Sequence, residues 1–360
     1  MSNETASTRV TSDLLLVGSL PLEDTESALR IAAEYFGDYI CALPDGETNS
    51  LRKNWVSYER EGIVRENPDI LLVEETTSPT GFPRHAYELP IFAVREEVDV
   101  VRWDRWPRID DAIESYGIFT RLREEGVIRP GLRFQVDLPL PASALNAIKA
   151  DYGRDYPKAA RGFEELVSRE LSRLFDAIPA EDLAIQWDAA YETQDIEGVL
   201  AWTAGDAWER WEGPITRLSP QIPEEVLLGY HICYGTFPEW PMYEPADMSV
   251  PVRMANAAVD GSGRLVDWLH IAGPRYLRSE DDRFYRPLAD LRARDTRVFL
   301  GIIQPLDGIL GAKRRAATAS RYLDDFGFAM YCGMGRQRDQ EPETTIREHR
   351  DTVRALIDGR

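Results

Sequence analysis

The sequence predicts an α/β protein built as a single closed (β/α)8 TIM barrel. Eight short apolar segments of strand length recur along the 360 residues, and most are followed by a helix-like amphipathic stretch. Near-continuous apolar runs are typical of parallel strands covered on both faces, and eight such repeats favour a barrel over an open sheet. The predicted strands are Leu14–Ser19, Tyr39–Leu43, Arg133–Leu138, Ala184–Asp188, Val226–Cys233, Leu265–Ile271, Val298–Ile303 and Phe328–Cys332.

Helices and one insertion fill the intervals between these strands. Residues 51–130, between the second and third strands, hold Trp55, Trp103, Trp106 and several prolines, more than a simple βα unit needs. We predict that this segment is an insertion over or beside the barrel mouth. Because no Gly/Ser-rich linker separates it, residues 1–360 are expected to form one domain. The amphipathic stretches are clearest at Glu23–Phe36, Lys158–Ala177, Pro245–Val259, Gly311–Asp324 and Glu343–Ile357.

The charge and hydropathy of the chain exclude two classes of partner. A net charge of −20 argues against binding nucleic acid, which needs clustered lysines and arginines to replace phosphate counterions. No stretch approaches the roughly 20 uninterrupted apolar residues of a membrane span, and the polar first twelve residues lack a signal-peptide core. We therefore expect a cytoplasmic protein. The sequence is compatible with an oligomer.

Two cysteine motifs at strand ends indicate a metal site. The fifth predicted strand ends in His231-Ile232-Cys233, and the eighth ends in Cys332-Gly333. Residues two apart in a strand point to the same face, so His231 and Cys233 can reach into one cavity. Zinc accepts imidazole and thiolate, and catalytic zinc sites keep one coordination position open. Three cysteines are too few for a disulfide framework, so we predict that His231, Cys233 and Cys332 bind zinc. The competing interpretation is a buried core without metal.

Other polar residues stand at or just after the predicted strand ends. In a barrel enzyme the C-terminal ends of the strands carry the chemistry, so these side chains are expected to converge on one cavity. Asp and Ser also cap the helices that follow strands, which is the alternative for about half of them. The residues are Ser19, Asp45, Glu47, Asp137, Asp188, His270, Gln304 and Asp307.

The motifs together carry a family resemblance from about residue 13 to 340. In order and spacing they resemble the C-terminal barrel of cobalamin-independent methionine synthase, within the superfamily that includes uroporphyrinogen decarboxylase. The resemblance implies a zinc ion held by the His-x-Cys pair and the Cys-Gly cysteine, with the acceptor thiol as a further ligand. The matching segments are Val17-Gly18-Ser19-Leu20-Pro21, Asp45-Gly46-Glu47, Ile185-Gln186-Trp187-Asp188, His231-Ile232-Cys233 and Cys332-Gly333.

Two departures from the family pattern bear on the chemistry. Where the family has a glutamate ligand on the strand after His-x-Cys, this chain reads Asp267-Trp268-Leu269-His270. His270 is then a replacement zinc ligand, a general acid/base or a packed core histidine. The family's catalytic histidine on the seventh strand is missing, because this chain reads Gly301-Ile302-Ile303-Gln304 there. Its loss puts the use of methylfolate as donor in doubt.

Two functions follow as hypotheses. The first is a zinc-dependent methyl or alkyl transferase that activates a small thiol as a zinc-bound thiolate, since a metal-bound thiol is deprotonated outright. Its partners would be a small-molecule thiol and an alkyl donor of unknown identity. The alternative is a metal-free lyase or decarboxylase of the uroporphyrinogen decarboxylase type, using carboxylates and His270. The residues assigned are His270, Asp188 and Asp307 to catalysis, and Ser19, Asp45, Glu47 and Gln304 to substrate binding. The alternative for Glu47 is an ion pair with an arginine at the rim of the barrel.

The remaining cysteine and histidines are expected to lie outside the site. Cys41 falls inside the second predicted strand and is assigned to the core. His85 and His349 are predicted to face solvent, because both stand in polar surroundings in the sequence.

Overall fold

Eight parallel strands form the barrel. The computed structural model describes residues 9–48, 52, 58–75, 89–236, 241–336 and 341–359. Eight of its strands correspond to the eight predicted apolar segments, and two more lie between the second and third of them. The strands are β1 (Leu14–Leu15), β2 (Ala42–Pro44), β3 (Ile70–Glu74), β4 (Ile91–Val94), β5 (Arg133–Pro139), β6 (Leu183–Ala189), β7 (Leu227–Ile232), β8 (Trp268–Ala272), β9 (Arg297–Ile303) and β10 (Gly327–Met330).

The order of the strands makes the sheet a nearly closed barrel. The eight strands run β1-β10-β9-β8-β7-β6-β5-β2, and each neighbouring pair is parallel. At the remaining seam, the backbone N–H of Leu14 donates to the carbonyl of Tyr39 at 3.0 Å, and that of Leu20 donates to Gly46 at 2.8 Å. The predicted (β/α)8 fold class is therefore confirmed.

The inside of the barrel is filled by side chains rather than left as a pore. Every residue of β6 to β9 is buried. The indole of Trp268 covers Gly229 on the neighbouring strand, where a Cβ atom would overlap the ring. Its Nε1 donates to Oε1 of Gln186 on β6 at 3.1 Å. Packed layers of this kind leave only the C-terminal ends of the strands for chemistry.

Helices surround the sheet close to the predicted positions. The amphipathic stretch Lys158–Ala177 predicts a long helix that begins at Lys158, directly after Pro157. It begins six residues earlier, because Asp151 caps it by accepting from the N–H of Arg154 at 3.3 Å. No helix within the described ranges is long and apolar enough to cross a membrane. The helices are α1 (Thr25–Phe36), α2 (Pro107–Glu124), α3 (Pro141–Ala144), α4 (Tyr152–Ala177), α5 (Tyr191–Ile196), α6 (Ala207–Leu218), α7 (Ser249–Gly261), α8 (Asp282–Tyr285), α9 (Gly308–Ala319) and α10 (Pro342–Ile357).

The segment between β2 and β5 contains an antiparallel pair, β3 with β4, outside the barrel sheet. Trp103 and Trp106 are buried and meet the ring of Phe163 on α4 edge to face, at 6.3 and 5.3 Å between ring centres. Trp55 lies outside the described residues. The two described tryptophans are thus core residues, while the insertion at 51–130 stays a prediction.

One histidine prediction is wrong. His349 on α10 is 5% exposed, and its ring meets Phe36 of α1 edge to face at 5.4 Å. α10 is amphipathic, and His349 belongs to its buried face together with Ile346 and Val353. The prediction that His349 faces solvent rested on its polar surroundings in the sequence. A neutral imidazole ring nevertheless packs well against an aromatic side chain. His85 lies outside the described residues.

Burial of His349 predicts a specific dependence of stability on pH. Burial lowers its pKa from 6.5 to about 4, so the unfolded chain binds more protons between these values. The contribution of His349 to the free energy of unfolding is therefore fully present above pH 6.5 and is lost as the pH falls toward 4. Near pH 5 we expect the free energy of unfolding of the wild type to be roughly 2 kcal/mol lower than near pH 7.5, a decrease that His349→Leu does not show. Urea unfolding of both proteins near pH 7.5 and pH 5 measures this difference, and parallel pH profiles would contradict it.

Candidate metal centre

Three potential metal ligands meet at the C-terminal ends of β7 and β10. His231 lies in β7, Cys233 follows that strand, and Cys332 follows β10. One ligand atom from each lies within 4.8 Å of the other two. The N–H of Cys233 donates to the carbonyl of Ala189 at 3.1 Å, which extends the strand pairing. His231 and Cys233 therefore keep the alternation of a strand and point to the same side.

The donor set fits a zinc ion. Zinc binds cysteine sulfur at about 2.3 Å and histidine nitrogen at about 2.0–2.1 Å, so the ligands of a tetrahedral site stand roughly 3.3–3.8 Å apart. The observed spacing of at most 4.8 Å needs only small side-chain movements to reach these values. One imidazole and two thiols leave a fourth position, which is the pattern of catalytic zinc sites.

The two thiols are electrostatically coupled. A hydrogen bond between Cys233 and Cys332 lowers the pKa of Cys332 well below its ordinary value, and His231 and Arg336 act in the same direction. The same hydrogen bond, together with burial, raises the pKa of Cys233 well above its ordinary value. Of the two thiols, Cys332 is therefore the one that loses its proton more readily.

His270 lies beside the trio on β8, opposite His231 in the strand register. It is fully buried, and the Nδ1 atoms of the two rings are 2.6 Å apart. Its Nε2 is 3.0 Å from the carbonyl oxygen of Met330. Burial lowers the pKa of His270 well below 6.5, and the neighbouring His231 adds to this effect. His270 is therefore neutral, with both ring nitrogens engaged.

Two glutamines and two aspartates form a polar layer beside the trio. The amide nitrogen of Gln186 donates to Asp137 at 3.1 Å and to Asp188 at 2.9 Å. The amide nitrogen of Gln135 donates to Asp137 at 2.8 Å. Asp188 stands opposite His231 in the pairing of β6 with β7. The polar layer and the metal trio are thus neighbours at the same end of the barrel.

The carboxyl groups of this layer resist ionisation. Burial raises the pKa of Asp137 well above its ordinary value, and the charge of Glu47 raises it further. Burial likewise raises the pKa of Asp188, with Asp137 and Glu47 contributing. Two neighbouring carboxyls in a buried site cannot both be charged at low cost. A cation bound beside the layer would therefore lower these raised pKa values.

Asp45 and Glu47 are paired with arginines. Burial opposes ionisation of Asp45, but its ion pair with Arg52 outweighs this and lowers the pKa of the carboxyl. Nη1 of Arg108 on α2 donates to Glu47 at 3.0 Å and to the carbonyl of Asp137 at 3.3 Å. Burial nevertheless raises the pKa of Glu47. The predicted substrate-binding carboxylates are thus part of an arginine network.

Ser19 lies at the site through the backbone of the loop that follows β1. It is buried, and its carbonyl accepts from the N–H of Gly335 at 3.0 Å. A Cβ atom at Gly333 would overlap the side chain of Ser19. The turn that follows Cys332 is therefore packed against Ser19, which fixes the position of the second cysteine.

Gln304 and Asp307 have other partners. The Gln304 amide donates to the carbonyl of Pro274. Asp307 accepts from two guanidinium nitrogens of the buried Arg315, each at 2.7 Å. Both residues line a cavity of about 330 Å³ together with His349 of α10. The contacts of Asp307 are those of a structural ion pair, and the predicted functional roles of both residues stay predictions.

Three residues of the site, Gln135, Gln186 and Arg108, were not predicted from the sequence. The two glutamines carried a usable signal, because each stands two residues before an aspartate in an otherwise apolar strand. Such a pair of polar residues on one face of a buried strand indicates a polar layer inside the barrel. Arg108 carried no such signal, because only the folding of α2 brings it to Glu47.

Similar structures agree with this architecture. A B12-independent methionine synthase from Shewanella sp. W3-18-1, in complex with selenomethionine, matches with a TM-score of 0.60 at 14% sequence identity. The match covers 98% of this chain and 100% of that one. A protein described as a vitamin-B12-independent methionine synthase from Listeria monocytogenes matches with a TM-score of 0.55 at 15% identity, covering 93% and 87%. Neither a protein-family model nor a curated protein sequence matches the chain. Over nearly its whole length, the chain has the fold of B12-independent methionine synthase barrels.

Proposed function

We propose that this protein is an enzyme that transfers a methyl or other alkyl group to a small thiol. The observation that carries the proposal is the meeting of His231, Cys233 and Cys332 at the C-terminal ends of the barrel strands. One imidazole and two thiols suit zinc, and their position is the one at which barrels of this type carry out catalysis. One similar structure contains selenomethionine, a molecule with a methyl group on a chalcogen, which agrees with a methylated sulfur product.

Different residues of the chain would have different roles in such a reaction. A zinc ion held by the trio would supply a Lewis acid that favours the deprotonated form of the acceptor thiol. The trio would place the acceptor sulfur at the barrel mouth. Transfer requires the alkyl donor to bind in line with that sulfur, so that the S–C bond forms as the bond between the alkyl carbon and the donor's leaving group breaks. The two protein thiols lie close together and could oxidise to a disulfide, so the enzyme needs a reducing compartment. We therefore propose that it acts in the cytoplasm.

The polar layer suits an acceptor that carries an amino group. Asp137 and Asp188 are buried with raised pKa values and lie next to the trio. An ammonium group at this position would replace their protons and stabilise the carboxylates. Glu47 is less available for this contact, because Arg108 already pairs with it.

The alternative lyase or decarboxylase activity has less support. Of the groups it would use, His270 has both ring nitrogens engaged and Asp45 is paired with Arg52, which leaves Asp188, with its raised pKa, as the acid. A general acid or base must reach the substrate proton within hydrogen-bonding distance. These contacts favour the transferase.

The first test is the metal content of the protein purified without a histidine tag. Elemental mass spectrometry is expected to find about one zinc per chain. Calorimetric titration of the zinc protein with small thiols, in buffers of different ionisation enthalpy, should show about one proton released per thiol bound. Protein that takes up no zinc, even when zinc is supplied, would exclude the proposed function.

A further inference from the structure

The contact between His231 and His270 is a hydrogen bond in which one Nδ1 donates and the other accepts. Their Nδ1 atoms are 2.6 Å apart, shorter than any face-to-face stacking distance, while the ring centres are 4.7 Å apart. The rings therefore meet edge to edge through one N–H···N hydrogen bond. One ring donates from Nδ1 and the other accepts.

The direction of this bond follows from the second contact of His270. The carbonyl oxygen of Met330, 3.0 Å from Nε2 of His270, can only accept, so Nε2 carries a hydrogen. A neutral imidazole has only one N–H, which leaves Nδ1 of His270 as a lone pair. His231 must then donate from its Nδ1, which leaves its Nε2 as the ring nitrogen for a metal ion.

The surroundings leave His270 little freedom to change this arrangement. The residue is fully buried within β8. A Cβ atom at Gly301 on β9 would lie 2.9 Å from Nε2 of His270, so the glycine supplies the space that the ring needs. Among the described residues, the group of ligand atoms within 4.8 Å of one another comprises His231, Cys233 and Cys332 and excludes His270.

We propose that His270 is a positioning residue that holds His231 with Nε2 free for the metal, and is not itself a metal ligand. The inference rests on the proposed zinc function and refines it. Histidine ligands of zinc commonly donate their other N–H to an acceptor that fixes the ring, and His270 is that acceptor here. A metal held in this way would have three protein ligands, two thiolates and one imidazole, and a fourth position for the thiol.

The tautomers can be read without any metal. With ¹⁵N-labelled histidine in the zinc-free protein, long-range ¹H–¹⁵N spectra should show His231 protonated at Nδ1 and His270 at Nε2. His349→Gln and His270→Gln assign the signals, since the chain has only four histidines. The opposite tautomers would overturn the inference.

X-ray absorption at the zinc edge then tests the ligand set. The wild type should show two sulfurs, one imidazole and one further light atom, and His270→Ala should show the same imidazole count. Zinc affinity, measured by competition with a chromogenic chelator, should fall about 10–100-fold in His270→Ala. His270→Gln should lie within a few-fold of the wild type, because its amide offers an acceptor toward His231 and a donor toward Met330.

Three outcomes separate this inference from the proposed function. Two imidazoles in the wild type, with one lost in His270→Ala, would make His270 a ligand and overturn the inference alone. Unchanged zinc affinity in His270→Ala would also overturn it. Absence of zinc from the wild type, with the expected tautomers present, would overturn the proposed function while supporting the hydrogen-bond arrangement. His349→Gln, at a second buried histidine packed on Phe36, should leave zinc affinity unchanged.

Discussion

Cys332→Ser and Cys233→Ser are each expected to lower zinc affinity by at least about 100-fold and to abolish alkyl transfer to the thiol. Loss of a residue that merely orients a ligand already costs about 10–100-fold, and loss of the ligand itself should cost more. A serine hydroxyl is a hard, weakly acidic group that does not replace thiolate on zinc. Chelator competition measures the affinity, and the rate of thiol methylation or alkylation measures the activity.

Cys41→Ser is the matched control for these two variants. Cys41 immediately precedes β2, at the opposite end of the barrel from the strand ends that carry the trio, and it is partly buried. Its replacement changes the same atom without touching the proposed site, so zinc content and activity should be retained. If Cys332→Ser kept one zinc per chain, or if all three variants lost zinc alike, the assignment of the ligands would be wrong.

Arg108→Met is expected to lower the free energy of unfolding by about 3–5 kcal/mol. Arg108 is 3% exposed and donates to Glu59 at 2.7 and 3.2 Å and to Glu47 at 3.0 Å. Methionine keeps much of the packing but leaves both buried carboxylates without this cation. Breaking a buried ion pair from one side is costly because the remaining charge has no compensation. Urea unfolding near neutral pH measures the loss.

Arg123→Met tests whether the effect is specific to this network. Arg123 is also on α2 and forms a bidentate ion pair with Asp182, with both N···O distances 2.6 Å, but its side chain is 27% exposed. Water can solvate the carboxylate left behind, so a loss of about 1 kcal/mol is expected. Combining Arg108→Met with Glu59→Gln should recover part of the larger loss. Equal effects of the two arginine variants would show that burial of the Arg108 pairs contributes little.

Much of the fold was readable from periodicity. The eight apolar runs correspond to the eight barrel strands, because strands covered on both faces must be apolar almost throughout. Their boundaries differ by a few residues, and α4 begins earlier than expected because a capping aspartate outweighs Pro157. The spatial meeting of His231, Cys233 and Cys332 was also predictable, since parallel strands in a barrel bring all their C-terminal ends to one face.

The ion pairs and the burial of charged or polar groups could not be predicted from periodicity. The ion pair between Arg108 and Glu47 joins residues 61 positions apart. The sequence left Glu47 as either a substrate-binding carboxylate or the partner of an arginine, and only the folded chain identifies Arg108 as that partner. His349 was placed in solvent for a related reason, because a polar ring on a polar helix can still lie on the buried face.

The barrel and the three sulfur and nitrogen donors at its strand ends could be predicted from the amino-acid sequence alone. These features follow from local rules, the alternation of side chains along a strand and the shared direction of parallel strands. The role of His270, in contrast, depends on contacts that exist only in the folded chain. The sequence allowed a ligand, an acid/base group or a core residue, and the choice depends on the carbonyl of Met330 and on Nδ1 of His231. Hydrogen bonds between distant strands set the protonation of an imidazole, and no local pattern encodes them.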